Sequence, residues 1–272
     1  MSQACTAPAS SHSNINDSST MHTSSPMSCA PQGPAAATSN SNSQAESKKM
    51  TGTGGAMAGA VENEIYETVT IFDWDDTLCP SSFLSSNGYR LDSNKEMSEE
   101  LKKQLTDLEG SVVGFLEIAL EKGDKVYIIT NAEQGWVELS AQKFLPSVVP
   151  LLSRLEVVSA RSTYEERFPE SPLQWKYYAF QHNLTKAFSN ELKAKSVISF
   201  GDSHVERQVV RAVAKSFRNS LAKSIKFAER PSLEQLRRQV ELVTKCFQGI
   251  YCHKGDLDLM LTINLTNMAS SS

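Results

Sequence analysis

Apolar and polar positions are distributed differently in the two parts of this chain. Residues 1–59 are mostly Ser, Thr, Ala, Asn, Gln, Gly and Pro, with almost no large apolar side chain. Such a segment cannot bury enough apolar surface to offset the entropy that is lost on ordering. The pattern predicts a disordered tail over residues 1–60, which is either a plain spacer or a segment that recruits a protein partner.

From residue 61 onward, short β-branched or apolar runs alternate with segments of helical periodicity. This alternation is typical of a parallel sheet whose strands are connected by helices. The predicted strands are 68–72, 125–129, 155–158, 196–200 and 224–227. The predicted helices are the stripe from 101 to 116 and the segments 137–144, 173–188, 205–213 and 233–247. We expect an α/β domain over residues 61–250, with a doubly wound, Rossmann-like, mainly parallel sheet and helices on both faces.

The end of this domain has recognisable helix boundaries. Ser232 and Gln235 have the spacing of a capping box, and Gly249 suits a left-handed helix end. The last helix is therefore expected to end before Gly249. Residues 256–263 alternate like a strand within a C-terminal extension over residues 251–272.

Composition narrows the classes of function. The formal net charge of −4 argues against general binding of nucleic acid. The five cysteines form no CxxC pair, which argues against a zinc site and against a disulfide framework. The chain has neither a secretory leader pattern nor an apolar run of about 18 residues. We expect a cytoplasmic protein without a membrane span and without a nucleic-acid partner.

Acidic and hydroxyl residues follow three of the predicted strands. Asp73 and Asp75 follow the first, Thr130 and Asn131 the second, and Asp202 the fourth. Ligands of open parallel sheets bind beyond the carboxyl ends of the strands, so these groups are expected to meet. Two carboxylates can serve as nucleophile and as general acid and base toward a phosphate. Their negative charge requires a cation, and Mg²⁺ prefers such oxygen ligands.

The same residues carry a resemblance to a known family. The segments FDWDDTL (72–78), IITN (128–131) and GDSHVE (201–206) resemble the first, second and fourth motifs of the haloacid dehalogenase superfamily. The resemblance spans about residues 68–228 and implies a Mg²⁺-dependent phosphohydrolase that forms an aspartyl-phosphate. The implied roles are nucleophile and metal ligand for Asp73, general acid and base for Asp75, phosphoryl-oxygen ligand for Thr130, substrate contact for Asn131, and metal ligand for Asp202. Asp75 is further implied to give its main-chain carbonyl to the metal.

The third motif of the family is a lysine that neutralises the nucleophile and the phosphoryl group. Lys176 is the best candidate for this catalytic and substrate-binding position, and Lys186 and Lys143 compete with it. Two aromatic residues near the motifs, Trp74 and Trp136, are interpreted first as packing residues, although either could stack on a substrate.

Three positions have two interpretations or depart from the family pattern. Asp76 stands where the family commonly has Gly. This extra acid resembles the first motif of the protein-serine phosphatases of the superfamily, and the resemblance favours a phosphoprotein substrate. Glu206 replaces the usual Asp, and either binds the metal or closes a capping box with Ser203. Thr130 has the same capping-box spacing with Glu133.

The spacing between motifs leaves no room for a large cap domain. An open site suits a phosphoprotein or another bulky phosphomonoester, and the polar loop 80–94 could act as a small flap. The alternative is a catalytically silent domain that serves as a binding or scaffold module. Transfer of phosphate to an acceptor other than water would use the same residues.

Overall fold

The computed structural model describes residues 66–123 and 125–262, and the predicted tail lies outside them. The strands are β1 (Glu67–Phe72), β2 (Lys125–Thr130), β3 (Glu156–Ser159), β4 (Lys195–Gly201), β5 (Ser220–Lys226) and β6 (Leu257–Met260). All pair in parallel, in the order β3-β2-β1-β4-β5-β6. The predicted α/β class with a parallel, doubly wound sheet is confirmed.

Helices cover both faces of this sheet. They are α1 (Ser81–Ser86), α2 (Glu99–Lys122), α3 (Trp136–Phe144), α4 (Val149–Leu152), α5 (Ala160–Tyr164), α6 (Pro172–Ala187), α7 (His204–Ala214) and α8 (Leu233–Cys252), with a 3₁₀ turn at Pro146–Val148. Side chains alternate along β1, so Phe72 packs in a core with α2, α3 and α8, and Ile71 in a second core with α6 and α7. None of the helices in the described ranges is long and apolar enough to cross a membrane.

The strand order fixes where a site can form. The chain runs outward from β1 to β2 and β3, and then returns to place β4 on the other side of β1. Ligands of such sheets bind where the strand order reverses, because the connections diverge there and leave a crevice. Here that point lies between the carboxyl ends of β1 and β4.

Between the strands, the described residues form helices and loops and no second domain. The segment from β1 to β2 holds α1, a loop and α2, and the segment from β2 to α6 holds small helices and β3. The described residues of these two segments are accounted for by these elements and their connecting loops. Among the described residues, α1 and the loop after it follow directly on the carboxyl end of β1.

Two predicted boundaries were wrong. Helix α8 continues through Gly249 to Cys252, because Ile250 packs into the core beyond the glycine and Gly249 does not cap the helix. Strand β5 begins at Ser220, four residues before the apolar run that predicted it, because pairing with β4 extends over the whole of 220–226. The capping box of Ser232 and Gln235 is confirmed. In the predicted 256–263 segment, β6 occupies Leu257–Met260 and pairs with β5, and residue 263 lies outside the described residues.

Candidate active site

Asp73 is held where β1 meets β4. Its backbone N–H donates to the carbonyl oxygen of Phe200 at 2.8 Å, which continues the pairing of these strands by one residue. One oxygen of its carboxylate lies 2.7 Å from the ammonium nitrogen of Lys176 on α6. Both side chains are almost fully buried. The pair is therefore shielded from water, which makes its electrostatic interaction strong.

Lys176 has a second carboxylate partner. Its ammonium also pairs with Glu206 on α7, through the Oε1 atom. The other oxygen of Glu206 accepts hydrogen bonds from the backbone N–H of Ser203 at 3.1 Å and from the Ser203 hydroxyl. The two sequence-based interpretations of Glu206 are therefore compatible, since it closes the capping box of α7 and belongs to the acidic cluster.

Three carboxylates of this cluster converge on one point. Oxygen atoms of Asp73, Asp202 and Glu206 lie within 4.8 Å of one another. Carboxylates from three chain segments at this spacing can bind a common divalent cation. The predicted metal ligands Asp73 and Asp202 are thus brought together, with Glu206 as the third member.

Gly201 makes this arrangement possible. A Cβ atom at this position would lie 2.4 Å from Cγ of Glu206, far closer than atoms that are not bonded can approach. The glycine before Asp202 is therefore required by the close approach of the Glu206 side chain, rather than by an unusual backbone conformation.

Burial and excess negative charge control the ionisation of the cluster. Burial raises the pKa of Asp73 well above its ordinary value, against the opposing effect of Lys176. Burial, together with the charges of Glu206 and Asp76, raises the pKa of Asp202 to about 7. Burial also acts to raise the pKa of Glu206, but Lys176 and the hydrogen bonds from Lys176 and Ser203 outweigh it, so that the pKa is lowered. One ammonium cannot fully compensate two buried carboxylates and a third that is half-buried.

Asp75 lies beside this cluster and has its own set of partners. Its Oδ1 atom accepts hydrogen bonds from the indole N–H of Trp136 at 2.9 Å and from the Ser81 hydroxyl. Its Oδ2 atom is 3.3 Å from the hydroxyl of Thr130. The carboxylate is half-buried and held by donors from β2, α1 and α3.

Thr130 and Asn131 are both at this end of the sheet. The Thr130 hydroxyl accepts from the backbone N–H of Ala132 at 2.9 Å, but α3 begins at Trp136 with Gly135 as its N-cap. The interpretation of Thr130 as the cap of that helix was therefore wrong. The Asn131 amide donates to the carbonyl of Pro172, and its buried oxygen has no hydrogen-bond partner.

The competing lysines lie elsewhere. The ammonium of Lys186 pairs with Glu156 at 3.0 Å on an exposed surface. Lys143 donates to the main-chain carbonyls of Arg90, Leu91 and Ser93. Lys176 is therefore the member of this group whose ammonium contacts Asp73.

The turn after β1 depends on Asp76. This residue has a φ of 55°, in the left-handed region that Gly adopts freely and Asp tolerates better than most residues. Its backbone N–H donates to the carbonyl of Cys79 at 2.7 Å, and its carboxylate accepts from the backbone N–H of Ser82 at 2.9 Å. Asp76 thus positions the turn that carries Asp75 and α1.

Of the three donors to Asp75, sequence reasoning identified only Thr130 as a site residue. Trp136 was singled out as an aromatic side chain, and Ser81 was not singled out at all. Trp74, the other aromatic candidate, is fully buried and donates its indole N–H to Ser140 at 2.9 Å, as expected of a packing residue. No local pattern signals a contact between Asp75 and Trp136, which are 61 positions apart in the sequence.

Comparison with known proteins identifies no relative. A scan against protein-family models finds no match, and searches of the curated proteins and of the solved structures find none either.

Proposed function

We propose that this protein is a Mg²⁺-dependent phosphohydrolase of the haloacid dehalogenase type that forms an aspartyl-phosphate on Asp73. The observation that carries the proposal is the buried contact of 2.7 Å between Asp73 and Lys176, within a cluster that includes Asp202 and Glu206. This cluster lies at the reversal of strand order, where sheets of this kind bind ligands.

Each residue has a role that matches its surroundings. An oxygen of Asp73 forms a bond to phosphorus, and the bond between phosphorus and the ester oxygen breaks. Asp75 gives a proton to that departing oxygen. Water then attacks the aspartyl-phosphate while Asp75 takes its proton, which releases phosphate and restores Asp73. Lys176 offsets the charge of the nucleophile and of the phosphoryl group, while Thr130 and Asn131 supply polar contacts to the phosphoryl oxygens.

The donor set fits a hard divalent cation. Asp73, Asp202 and Glu206 offer only oxygen atoms, and these three carboxyl groups face a single ammonium group. Mg²⁺ prefers oxygen ligands and would relieve this imbalance. When bound, it would supply positive charge to the phosphoryl group; Asp73, Asp202 and Glu206 would hold it, together with the main-chain carbonyl of Asp75 that the family resemblance implies.

The surroundings of Asp75 favour a bulky substrate. A broad groove of about 840 Å³ runs from Asp75 past Phe83 and Trp136 to Arg230. It remains accessible because no inserted domain covers this end of the sheet in the described residues. We propose a phosphoprotein or another bulky phosphomonoester as substrate, with water as the acceptor.

The test is hydrolysis of 4-nitrophenyl phosphate with and without Mg²⁺. We expect metal-dependent turnover that falls at least 10³-fold in Asp73→Asn and in Lys176→Met, since both carry the chemical step. Lys186→Met is the matched control, because Lys186 lies on the same helix but pairs with Glu156 at the surface. Absence of turnover with every divalent metal would instead favour a binding or scaffold module.

A further inference from the structure

An apolar cavity of about 340 Å³ adjoins the candidate active site. Its walls include Leu84 of α1, Tyr89 and Leu91 of the following loop, and Trp136 and Phe144 of α3. Cavities of this size that are lined mainly by apolar and aromatic side chains commonly bind small organic groups.

The cavity shares two residues with the surroundings of Asp75. Ser81 and Trp136 line the cavity and also donate hydrogen bonds to the Asp75 carboxylate. In the proposed reaction Asp75 protonates the ester oxygen of the leaving group. Whatever is attached to that oxygen must therefore lie close to Asp75 and so to Trp136, which also lines the cavity.

The outer wall of the cavity is fixed by hydrogen bonds. The ammonium of Lys143 on α3 donates to the carbonyls of Arg90, Leu91 and Ser93, at 2.7, 3.0 and 2.7 Å. These bonds tie the loop to the helix that carries Trp136. The loop wall of the cavity is thus joined to its α3 wall, and the predicted flap 80–94 contributes both α1 and the loop.

We propose that this cavity binds an aromatic ring of the leaving group, and that the protein therefore prefers phosphomonoesters whose ring is one or two bonds from the ester oxygen. The inference rests on the proposed function and narrows its substrate class. A ring of this kind would displace water from the apolar wall and pack against Trp136 and Phe144, whereas a short polar alcohol would gain no such contact.

The decisive comparison uses two esters with similar alcohols as leaving groups, benzyl phosphate and ethyl phosphate. Because both release a primary alcohol, intrinsic reactivity differs little, and the ring is the main variable. We expect kcat/KM to be at least tenfold higher for benzyl phosphate, mainly through a lower KM. Equal values for the two esters would overturn the inference while leaving the phosphohydrolase proposal intact.

A pair of variants locates the effect. Ser85 lines both the cavity and the broad groove, whereas the neighbouring Ser86 lines the groove and not the cavity. Ser85→Phe should narrow the cavity and lower the ratio of kcat/KM for benzyl phosphate to that for ethyl phosphate about tenfold, and Ser86→Phe, which changes only the groove, should preserve this ratio. Loss of the preference in both variants or in neither would contradict the assignment. Ser85→Leu replaces Ser85→Phe if the larger side chain prevents folding.

A binding measurement separates the two proposals. Saturation-transfer NMR with 2-naphthol reports ring binding without any catalysis, and we expect a signal in the wild type that Ser85→Phe abolishes. A signal that is unchanged in Ser85→Phe overturns the cavity assignment. If naphthol binds but neither ester is hydrolysed under any metal, the proposed function fails, and the leaving-group assignment fails with it.

Discussion

Asp202 illustrates how its surroundings set the charge of a single side chain. Its pKa rises from an ordinary 3.8 to about 7, chiefly through burial and then through the nearby Glu206 and Asp76 carboxylates. Between these two pH values the unfolded chain loses a proton that the folded chain retains. The stability contributed by Asp202 is thus complete below pH 3.8 and is lost as the pH rises to about 7.

Because the stability contributed by Asp202 is lost as the pH rises, substitution of Asp202 gives a test. Without divalent metal, Asp202→Asn should be more stable than the wild type at pH 8 by about 2–4 kcal/mol, and the difference should vanish near pH 4. Addition of Mg²⁺ should stabilise the wild type and not the variant, because ligand binding shifts unfolding only where the site is retained. Urea unfolding at both pH values measures the two effects. Equal stabilisation of both proteins by Mg²⁺ would contradict a role for Asp202 in metal binding.

Lys223 provides a second pH-dependent signal, remote from the acidic cluster. This buried lysine of β5 donates to the carbonyl of Tyr251 near the end of α8 at 2.8 Å, and burial lowers its pKa to about 8. Its contribution to stability is present above its ordinary pKa of 10.5 and is lost as the pH falls through about 8. Relative to Lys223→Met, the wild type should therefore gain about 1–3 kcal/mol between pH 8 and pH 10.5. Chemical denaturation across this range checks the prediction, and parallel pH profiles of the two proteins would refute it.

At the scale of elements, the start of α7 combines folding and chemistry. Ser203 and Glu206 form the capping box of the helix, and Glu206 also pairs with Lys176 of α6. The helix start therefore fixes the carboxylate that faces Lys176, and Gly201 provides the space for it. A change in this turn should disturb the cap and the acidic cluster together.

Gly201→Ala tests this coupling. The added Cβ would meet the buried Glu206 side chain at 2.4 Å, so we expect a loss of about 1–3 kcal/mol in stability together with weaker Mg²⁺ binding. Gly249→Ala is the control, since a Cβ there has nothing within 4 Å and lies inside α8. That variant should gain about 0.5–1 kcal/mol. Urea unfolding and a Mg²⁺ titration of each variant make the measurement, and normal Mg²⁺ binding by Gly201→Ala would contradict the coupling.

At the scale of the whole molecule, one aromatic cluster supports the strands that carry the acidic residues. The ring of Phe115 on α2 lies 5.0 Å from that of Phe72, 4.9 Å from that of Phe200 and 6.1 Å from that of Phe247. These partners belong to β1, β4 and α8. A single side chain therefore connects the two strands at the reversal point with the helices of one face.

Phe115→Ala should lower the free energy of unfolding by about 3–5 kcal/mol, because it removes a fully buried ring and leaves a cavity under both strands. Leu139→Ala is a suitable control, since Leu139 is 55% exposed and its loss should change stability by no more than about 0.5 kcal/mol. Thermal or urea denaturation compares the two. A similar cost for both would show that the aromatic cluster is not the central support of the sheet.

Much of the fold could be predicted from local pattern. The strands before Asp73, Thr130 and Asp202 are short apolar runs, and the helices carry periodic apolar stripes, so the period of burial identified both. The proximity of the polar residues at the strand ends could be predicted because parallel strands present their carboxyl ends at one edge of the sheet. The start of β5 could not be predicted in this way, because its first residues are part of the strand through their pairing with β4 and not through an apolar pattern.

The sequence by itself determined the order of elements and the residue types at the strand ends, since both depend on neighbours in the chain. Tertiary structure decided which lysine meets Asp73, how Glu206 serves both α7 and Lys176, and which side chains hold Asp75. These contacts join residues that are far apart in sequence. They depend on the order of the strands and on the packing of α3, α6 and α7 around them. The packed backbone sets the distances between side chains across a fold, and local periodicity does not.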